Sequence, residues 1–279
     1  MNNKDAVTGK VILAAAGPGD PDLITIKAVR YLEKADVVLV DRLVSEAILH
    51  AYVPSCAEII RVGKQSGREG STAQSVINEL MVEYARAGKL VVRLKGGDVS
   101  VFSNIFDELT ELVNNHIPYE IIPGVTAALG AAACAGIPLT ARGFSTGIRL
   151  LTFYRSDIIQ DDYWKELAQT SDTLVFYMSA EMLDTAVDML LKHRISEEKM
   201  IAVVEQATTP LQQVTISGFA EYGRKLKGTS FLSPTVVIIG KVAALYYQFR
   251  WMKNSNSNEY YFTPIHEPVL SVSNENVPV

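Results

Sequence analysis

Lys10-Val-Ile-Leu-Ala-Ala-Ala-Gly17-Pro18-Gly19-Asp20-Pro21-Asp-Leu-Ile-Thr25 reads as a buried strand, a stiff Gly/Pro turn and the entry to a helix. An apolar run ended by turn residues fits a strand covered on both faces. Gly17 and Gly19 permit backbone angles and close approaches that a Cβ would block, while Pro18 and Pro21 stiffen the turn. In open α/β sheets ligands sit beyond the carboxyl ends of the strands, so this turn is either a ligand ledge or ordinary strand-to-helix punctuation. It has neither the G-x-G-x-x-G spacing nor the Lys-Ser/Thr of a P-loop, and so implies neither NAD nor ATP.

The rhythm repeats outward from that turn. Ile26, Val29, Leu32 and Ala35 fall at helical spacing, and Val37-Val-Leu-Val40 is a second short buried strand. Asp41 and Arg42 follow it, either facing the same crevice or serving as a helix cap and a solvated cation. Residues 45–52 read as a helix and 58–62 as a third strand. The loop Gly63-Lys64-Gln-Ser-Gly67-Arg68-Glu-Gly70 suits contact with an anion as well as it suits solvent. Ser71 or Thr72 would cap a helix with Val76, Ile77, Leu80, Met81 and Tyr84 on one face. Residues 89–95 form a fourth strand, followed at once by Gly96-Gly97-Asp98. Two glycines admit a ligand to the backbone, and the carboxylate behind them can pair with a cation such as an α-amino or sulfonium group. A helix near 104–116 and a strand over 119–122 complete a β-α alternation that predicts a mostly parallel sheet.

Pro123-Gly124 interrupts this rhythm ahead of an alanine-rich helix, and places a boundary between domains at 8–122 and 125–246. The second domain shows strands near 148–153, 173–178, 200–204, 213–217 and 235–239. Glu205 to Gln212 is too short for a crossover helix, so the third and fourth of these are predicted antiparallel and the second sheet mixed. Residues 253–279 read as a polar appendage. A chain of 279 residues is long enough for two such domains, and its net charge of -5 argues against a nucleic-acid partner. Cys56 and Cys134 are too few and too far apart for a disulfide framework or a metal site and read as buried filler. His50, His116, His193 and His266 form no ligand cluster, so no metal is expected. With no apolar h-region at the start and no run near the roughly 20 residues of a membrane span, a cytoplasmic protein without membrane partners is expected.

Lined up, these segments resemble the uroporphyrinogen-III C-methyltransferases of the tetrapyrrole methylase superfamily. The matching pieces are Ala16-Gly-Pro-Gly-Asp-Pro21, Asp41-Arg-Leu-Val-Ser45, Val62-Gly-Lys64, Val91-Val-Arg-Leu-Lys-Gly-Gly-Asp98, Pro123-Gly-Val-Thr-Ala127, Gly136-Ile-Pro-Leu-Thr140, Val175-Phe-Tyr-Met178 and Val204-Glu-Gln-Ala-Thr-Thr-Pro210. They run in family order over roughly residues 8 to 246. The resemblance implies two α/β domains with S-adenosylmethionine bound in the cleft between them, usually in a homodimer. It implies methylation of uroporphyrinogen III at C2 and C7 to give precorrin-2 for sirohaem or cobalamin synthesis, with no room beside the two domains for a fused module.

By the same resemblance Pro18, Gly96, Gly97, Asp98, Val101, Thr126, Ala127, Met178 and Ala207 line the methyl-donor site, Asp41 matches the proposed proton acceptor and Lys64 the proposed proton donor. A small tetrapyrrole with eight carboxylates calls for local cations, and Arg42, Arg68, Arg142 and Arg149 are the candidates. Three departures stand out. Ala207 replaces a frequent Gly; Val99-Ser100-Val101-Phe102-Ser103-Asn104-Ile105 replaces the usual Pro-Phe-hydrophobic-Phe-Gly-Arg-Gly; and Thr140-Ala141-Arg142 replaces Thr-His-Arg. The last two fall on the expected tetrapyrrole side. They keep open a methylase of a later corrin precursor and a non-catalytic methyl-donor-binding regulator.

Overall fold

The computed structural model describes residues 9–63 and 72–263. The opening apolar run is β1 (Lys10–Ala15), buried on both faces after its first residue. It joins β2 (Val37–Val40), β3 (Glu58–Arg61), β4 (Leu90–Lys95) and β5 (Tyr119–Ile122) in an all-parallel sheet of order β3-β2-β4-β1-β5. Because β4 is inserted between β1 and β2, the loops leaving β1 and β4 lie side by side with the end of β2 beyond them. This is the switch-point arrangement in which α/β sheets hold ligands.

Four helices cover this sheet: α1 (Ile26–Leu32), α2 (Glu46–Tyr52), α3 (Gln74–Arg86) and α4 (Ile105–Asn114). The first ends sooner than its apolar spacing predicts. Lys34 and Ala35 donate to carbonyls three residues back, a tight last turn that returns Ala35 to the core. Ile26 is exposed rather than packed. In α3 the buried stripe is Ile77, Met81, Val82 and Ala85, with Val76 outside it. Its N-cap is Ala73, with no side-chain cap, in place of the predicted Thr72; Ser71 lies outside the described residues. Cys56 is exposed and Cys134 half-buried, so neither is the buried filler the composition suggests.

After Pro123-Gly124 the alanine-rich α5 (Ala127–Ala135) ends on Gly136 in the left-handed conformation, as a helix C-terminus favours. The second sheet contains β6 (Ile148–Thr152), β7 (Thr173–Tyr177), β8 (Met200–Glu205), β9 (Gln213–Gly218) and β10 (Thr235–Gly240) in the order β6-β7-β10-β8-β9. Only β6 and β7 are parallel, and β8 pairs with β9 antiparallel as the short connection demands. Strand alternation sends Leu174, Phe176, Ile201 and Val203 to one face, where α6 (Asp161–Gln169) and α7 (Leu183–Lys192) pack around Trp164. Val175, Ala202, Val204, Val236 and Ile238 face the other side, against α5 and residues 242–246. Two single-turn helices, α8 (Tyr222–Lys225) and α9 (Tyr246–Phe249), complete the α-helices among the described residues.

The expected polar appendage is, over residues 254–263, a docked segment. Asn254 donates to Val214 O and accepts from Val214 N, and Ser255 N donates to Gln212 O. Fully buried Gln206 donates to Glu259 O and accepts from Tyr261 N. The segment then crosses to the first half: Tyr261 shares a 2.8 Å hydrogen bond with Ser45, and Arg42 Nη1 donates to Thr263 O at 2.7 Å. Polar side chains thus satisfy backbone groups of another segment rather than solvent.

Candidate functional site

Four strand ends of the parallel sheet converge. Just past β1 and β4, Gly17 and Gly97 exchange backbone hydrogen bonds of 3.1 and 2.7 Å, each at positive φ. That bridge needs the left-handed backbone that glycine adopts without a steric cost. Gly124, just past β5, packs so closely that a Cβ there would stand 2.5 Å from Ala15 Cβ and 3.0 Å from Gly97 O. Asp98 ties the ends of β4 and β5 together. Its Oδ1 accepts from Ser100 N (2.8 Å) and Ser100 Oγ (2.5 Å), and its Oδ2 accepts from Gly124 N (2.8 Å). Burial alone would raise its pKa, but the Ser100 and Gly124 donors outweigh it and hold the carboxyl below its usual value. Both oxygens therefore brace the loop, while the residue itself borders the cavity.

Behind this ledge is a buried charge cluster. Strand alternation puts Val91, Arg93 and Lys95 on one face of β4, and α4 brings Glu108 against it. Arg93 Nε donates to Glu108 Oε1 at 2.9 Å, while Lys95 Nζ lies 2.8 Å from both Glu108 oxygens. Arg93 Nη2 reaches the other way, to Asp41 Oδ1 at 2.5 Å. Burial lowers the pKa of Lys95, with the Arg93 charge adding to the effect. Arg93 is buried too, but the Asp41 and Glu108 carboxylates outweigh that penalty and raise it. Asp41 is less enclosed, at 27% side-chain exposure, and borders the crevice.

The opposite wall comes from the second sheet and α5. Tyr177, the last residue of β7, shares a 2.7 Å hydrogen bond with Thr126 and accepts one from Ala128 N, which fixes the entry of α5. Its ring lies 5.0 Å from that of Phe102 on the loop after β4. Met178 follows at φ 53°, a left-handed angle uncommon for a non-glycine residue, and is half exposed to the crevice. Between the walls is a cavity of about 330 Å³, within the range of small-molecule sites.

Pro18, Gly96, Gly97, Asp98, Val101, Thr126, Ala127, Met178, Asp41 and Arg42 all border this cavity. Burial lowers the pKa of the Arg42 guanidinium against the opposing pull of Asp41. Ala207 does not border it; it is buried in the second core, with its carbonyl behind Gly19. Arg149 is committed elsewhere, to Asp172 at 2.8 Å and Glu166 at 2.5 Å, and Arg142 is exposed outside the cavity. Lys64 and Arg68 lie outside the described residues. Sequence reasoning missed Arg93, Lys95, Tyr177 and Phe262 among the lining residues. For the first two a signal existed: charges two apart in a strand buried on both faces require a buried partner. No three His, Cys, Asp or Glu side chains gather in a metal-binding group among the described residues, and no described helix is long and apolar enough to cross a membrane.

Comparison with known proteins agrees with this architecture. The family model described as tetrapyrrole (corrin/porphyrin) methylases matches residues 10–222. The siroheme synthase of Saccharophagus degradans is 41% identical over 246 residues, which are 88% of this chain and 53% of that protein. The chain thus spans about half the length of the curated relative it matches. A solved structure of uroporphyrin-III C-methyltransferase from Thermus thermophilus, complexed with S-adenyl homocysteine, superposes with a TM-score of 0.71 at 34% identity. That match covers 85% of this chain and all of the other. A cobalt precorrin-4 methyltransferase superposes with a TM-score of 0.73 at 27% identity, over 84% of this chain and 95% of the other.

Proposed function

The chain belongs to the tetrapyrrole (corrin/porphyrin) methylases, and from that membership we propose that it transfers methyl groups from S-adenosylmethionine to C2 and C7 of uroporphyrinogen III. The product is precorrin-2, the precursor of sirohaem and cobalamin. The observation that carries this reading is the cavity bordered together by the glycine ledge, Asp41 and Met178. We read the two sheets as the centres of two domains, 8–122 and 125–246, in a cytoplasmic homodimer.

The residues fit the methyl donor. Gly96 and Gly97 leave backbone bare at the cavity wall, and a Cβ on Gly97 would have nothing nearer than 3.8 Å, so the space beside it is open. The donor supplies an electrophilic methyl on a sulfonium, and the chain supplies position and proton handling. Held in line at near-attack distance, an electron-rich pyrrole carbon needs little more from the protein. Alkylation leaves a proton to be removed from the macrocycle. Asp41, on the cavity wall with Oδ2 free of hydrogen bonds to described residues, takes it, and Lys64 is the matching donor. Arg42 faces a propionate of the ring.

Two alternatives stand beside this reading. The likeness to the precorrin-4 enzyme and the altered 99–105 loop favour a later corrin precursor as substrate, and the same loop suits a regulator that binds donor without transfer. Incubating the protein with methyl-labelled S-adenosylmethionine and, in parallel, uroporphyrinogen III or a later corrin precursor separates the three. Label in the ring, with a product heavier by two methyl groups, is the expected outcome. Label appearing only on a later precursor, or donor binding with no transfer, overturns it. Asp41→Ala is expected to bind S-adenosylhomocysteine within threefold of the unaltered protein while kcat falls by about 100-fold or more; an unchanged kcat removes Asp41 from the reaction.

A further inference from the structure

We propose that Glu108, which borders neither the cavity nor solvent, is a positioning residue that acts on Asp41 through Arg93. The proposal rests on the assignment of Asp41 as proton acceptor. Glu108 is fully buried on α4, one helix removed from the reacting groups. Its Oε1 accepts from Arg93 Nε at 2.9 Å, and both its oxygens accept from Lys95 Nζ at 2.8 Å. Arg93 Nη1 points at the carbonyls of Leu39 and Leu94, at 3.3 and 3.4 Å. A guanidinium is a rigid plane, so fixing Nε and Nη1 fixes the direction of Nη2, and Nη2 holds Asp41 Oδ1. The consequence falls on Oδ2. With Oδ1 tethered, rotating the carboxylate would break the Arg93 bond, and the oxygen without a hydrogen bond to a described residue is the one available to the cavity.

Stability alone does not call for this arrangement, because well-packed apolar residues often replace a buried ion network without loss. What the cluster adds is direction. Two carboxylates and two cations balance, so the Arg93–Asp41 contact does not compete with an unpaired buried charge. Lys95, gripping Glu108 by both oxygens, keeps Glu108 from turning away from Arg93.

The test compares Glu108→Gln, Asp41→Asn and the two combined in the full chain, reading kcat, KM for uroporphyrinogen III and affinity for S-adenosylhomocysteine. A neutral acceptor makes a weaker bond than a carboxylate, so Arg93 loosens. Glu108→Gln is expected to lower kcat about 10- to 30-fold, a displacement effect, with KM and S-adenosylhomocysteine affinity within threefold. In the Asp41→Asn background Glu108→Gln is expected to add no further loss, because both changes act on one carboxylate. If Asp41→Asn leaves kcat unchanged, the acceptor assignment fails. If Asp41→Asn is slow but Glu108→Gln is not, or their losses multiply, the acceptor stands and the positioning proposal is overturned. Should Glu108→Gln not fold, Lys95→Met/Glu108→Leu removes one buried charge of each sign while unclamping Arg93. It is expected to show the same non-additivity with Asp41→Asn, and multiplying losses there overturn the proposal equally.

Discussion

Asp98 braces the loops that border the cavity. Its two oxygens take three donors from Ser100 and Gly124, so it ties the loop after β4 to the end of β5, beside the glycine bridge. Asp98→Asn keeps the size but turns an N–H toward the N–H of Gly124, a mismatch costing about 1–3 kcal/mol. The folded pKa lies below the unfolded one, so the contribution is present above the ordinary Asp value and lost as pH falls through the folded value. The melting temperatures of Asp98→Asn and the unaltered protein should therefore differ most near neutral pH and converge below about pH 4. A gap that stays constant with pH would mean that the charge of Asp98 is not what anchors the loop. The sequence made Asp98 visible through the two glycines before it, but its partners are the next loop and the end of β5, which spacing along the chain does not reveal.

Among elements, the contacts between strand ends decide which glycines matter. Gly124→Ala would drive a methyl into Ala15 of β1 and the Gly97 carbonyl, neither of which is the end of a flexible side chain. Overpacking of that kind costs about 1–3 kcal/mol and would push the end of β5 away from Asp98. A lowered melting temperature with at least tenfold weaker S-adenosylhomocysteine binding is expected, and calorimetry checks both. Gly97→Ala meets no clash within 3.8 Å but adopts φ 69°, so its cost is about 1–2 kcal/mol of left-handed strain. Strands were legible because parallel strands buried on both faces are short apolar runs, and their ends carried most of the site. Helix edges were less so. Val76 and Ile26 are apolar residues that the packing leaves exposed, and propensity carries no record of that. The charges of β4 were readable as charges, but their partner Glu108 sits on a helix whose contact face only the folded sheet defines.

At the scale of the whole molecule, the segment 254–263 links the halves, hydrogen-bonded along β9 and ending on Arg42 beside the cavity. Composition read it as an appendage because serines and asparagines serve solvent and foreign backbone equally well; the buried amide of Gln206 decides between them. Gln206→Leu strands Glu259 O and Tyr261 N, and should expose the segment to limited proteolysis at protease levels that leave the unaltered chain intact. Equal resistance in both would show that the docking does not depend on that amide. Phe262, buried at the cavity wall, comes from this same segment. All these contacts bear on whether the space between the two sheets receives the methyl donor. A crystal structure of the full chain with S-adenosylhomocysteine measures that most directly. The account predicts the molecule between the Pro18 and Asp98 loops on one side and Met178 on the other. Clear density for it elsewhere, with that cavity empty, would contradict it.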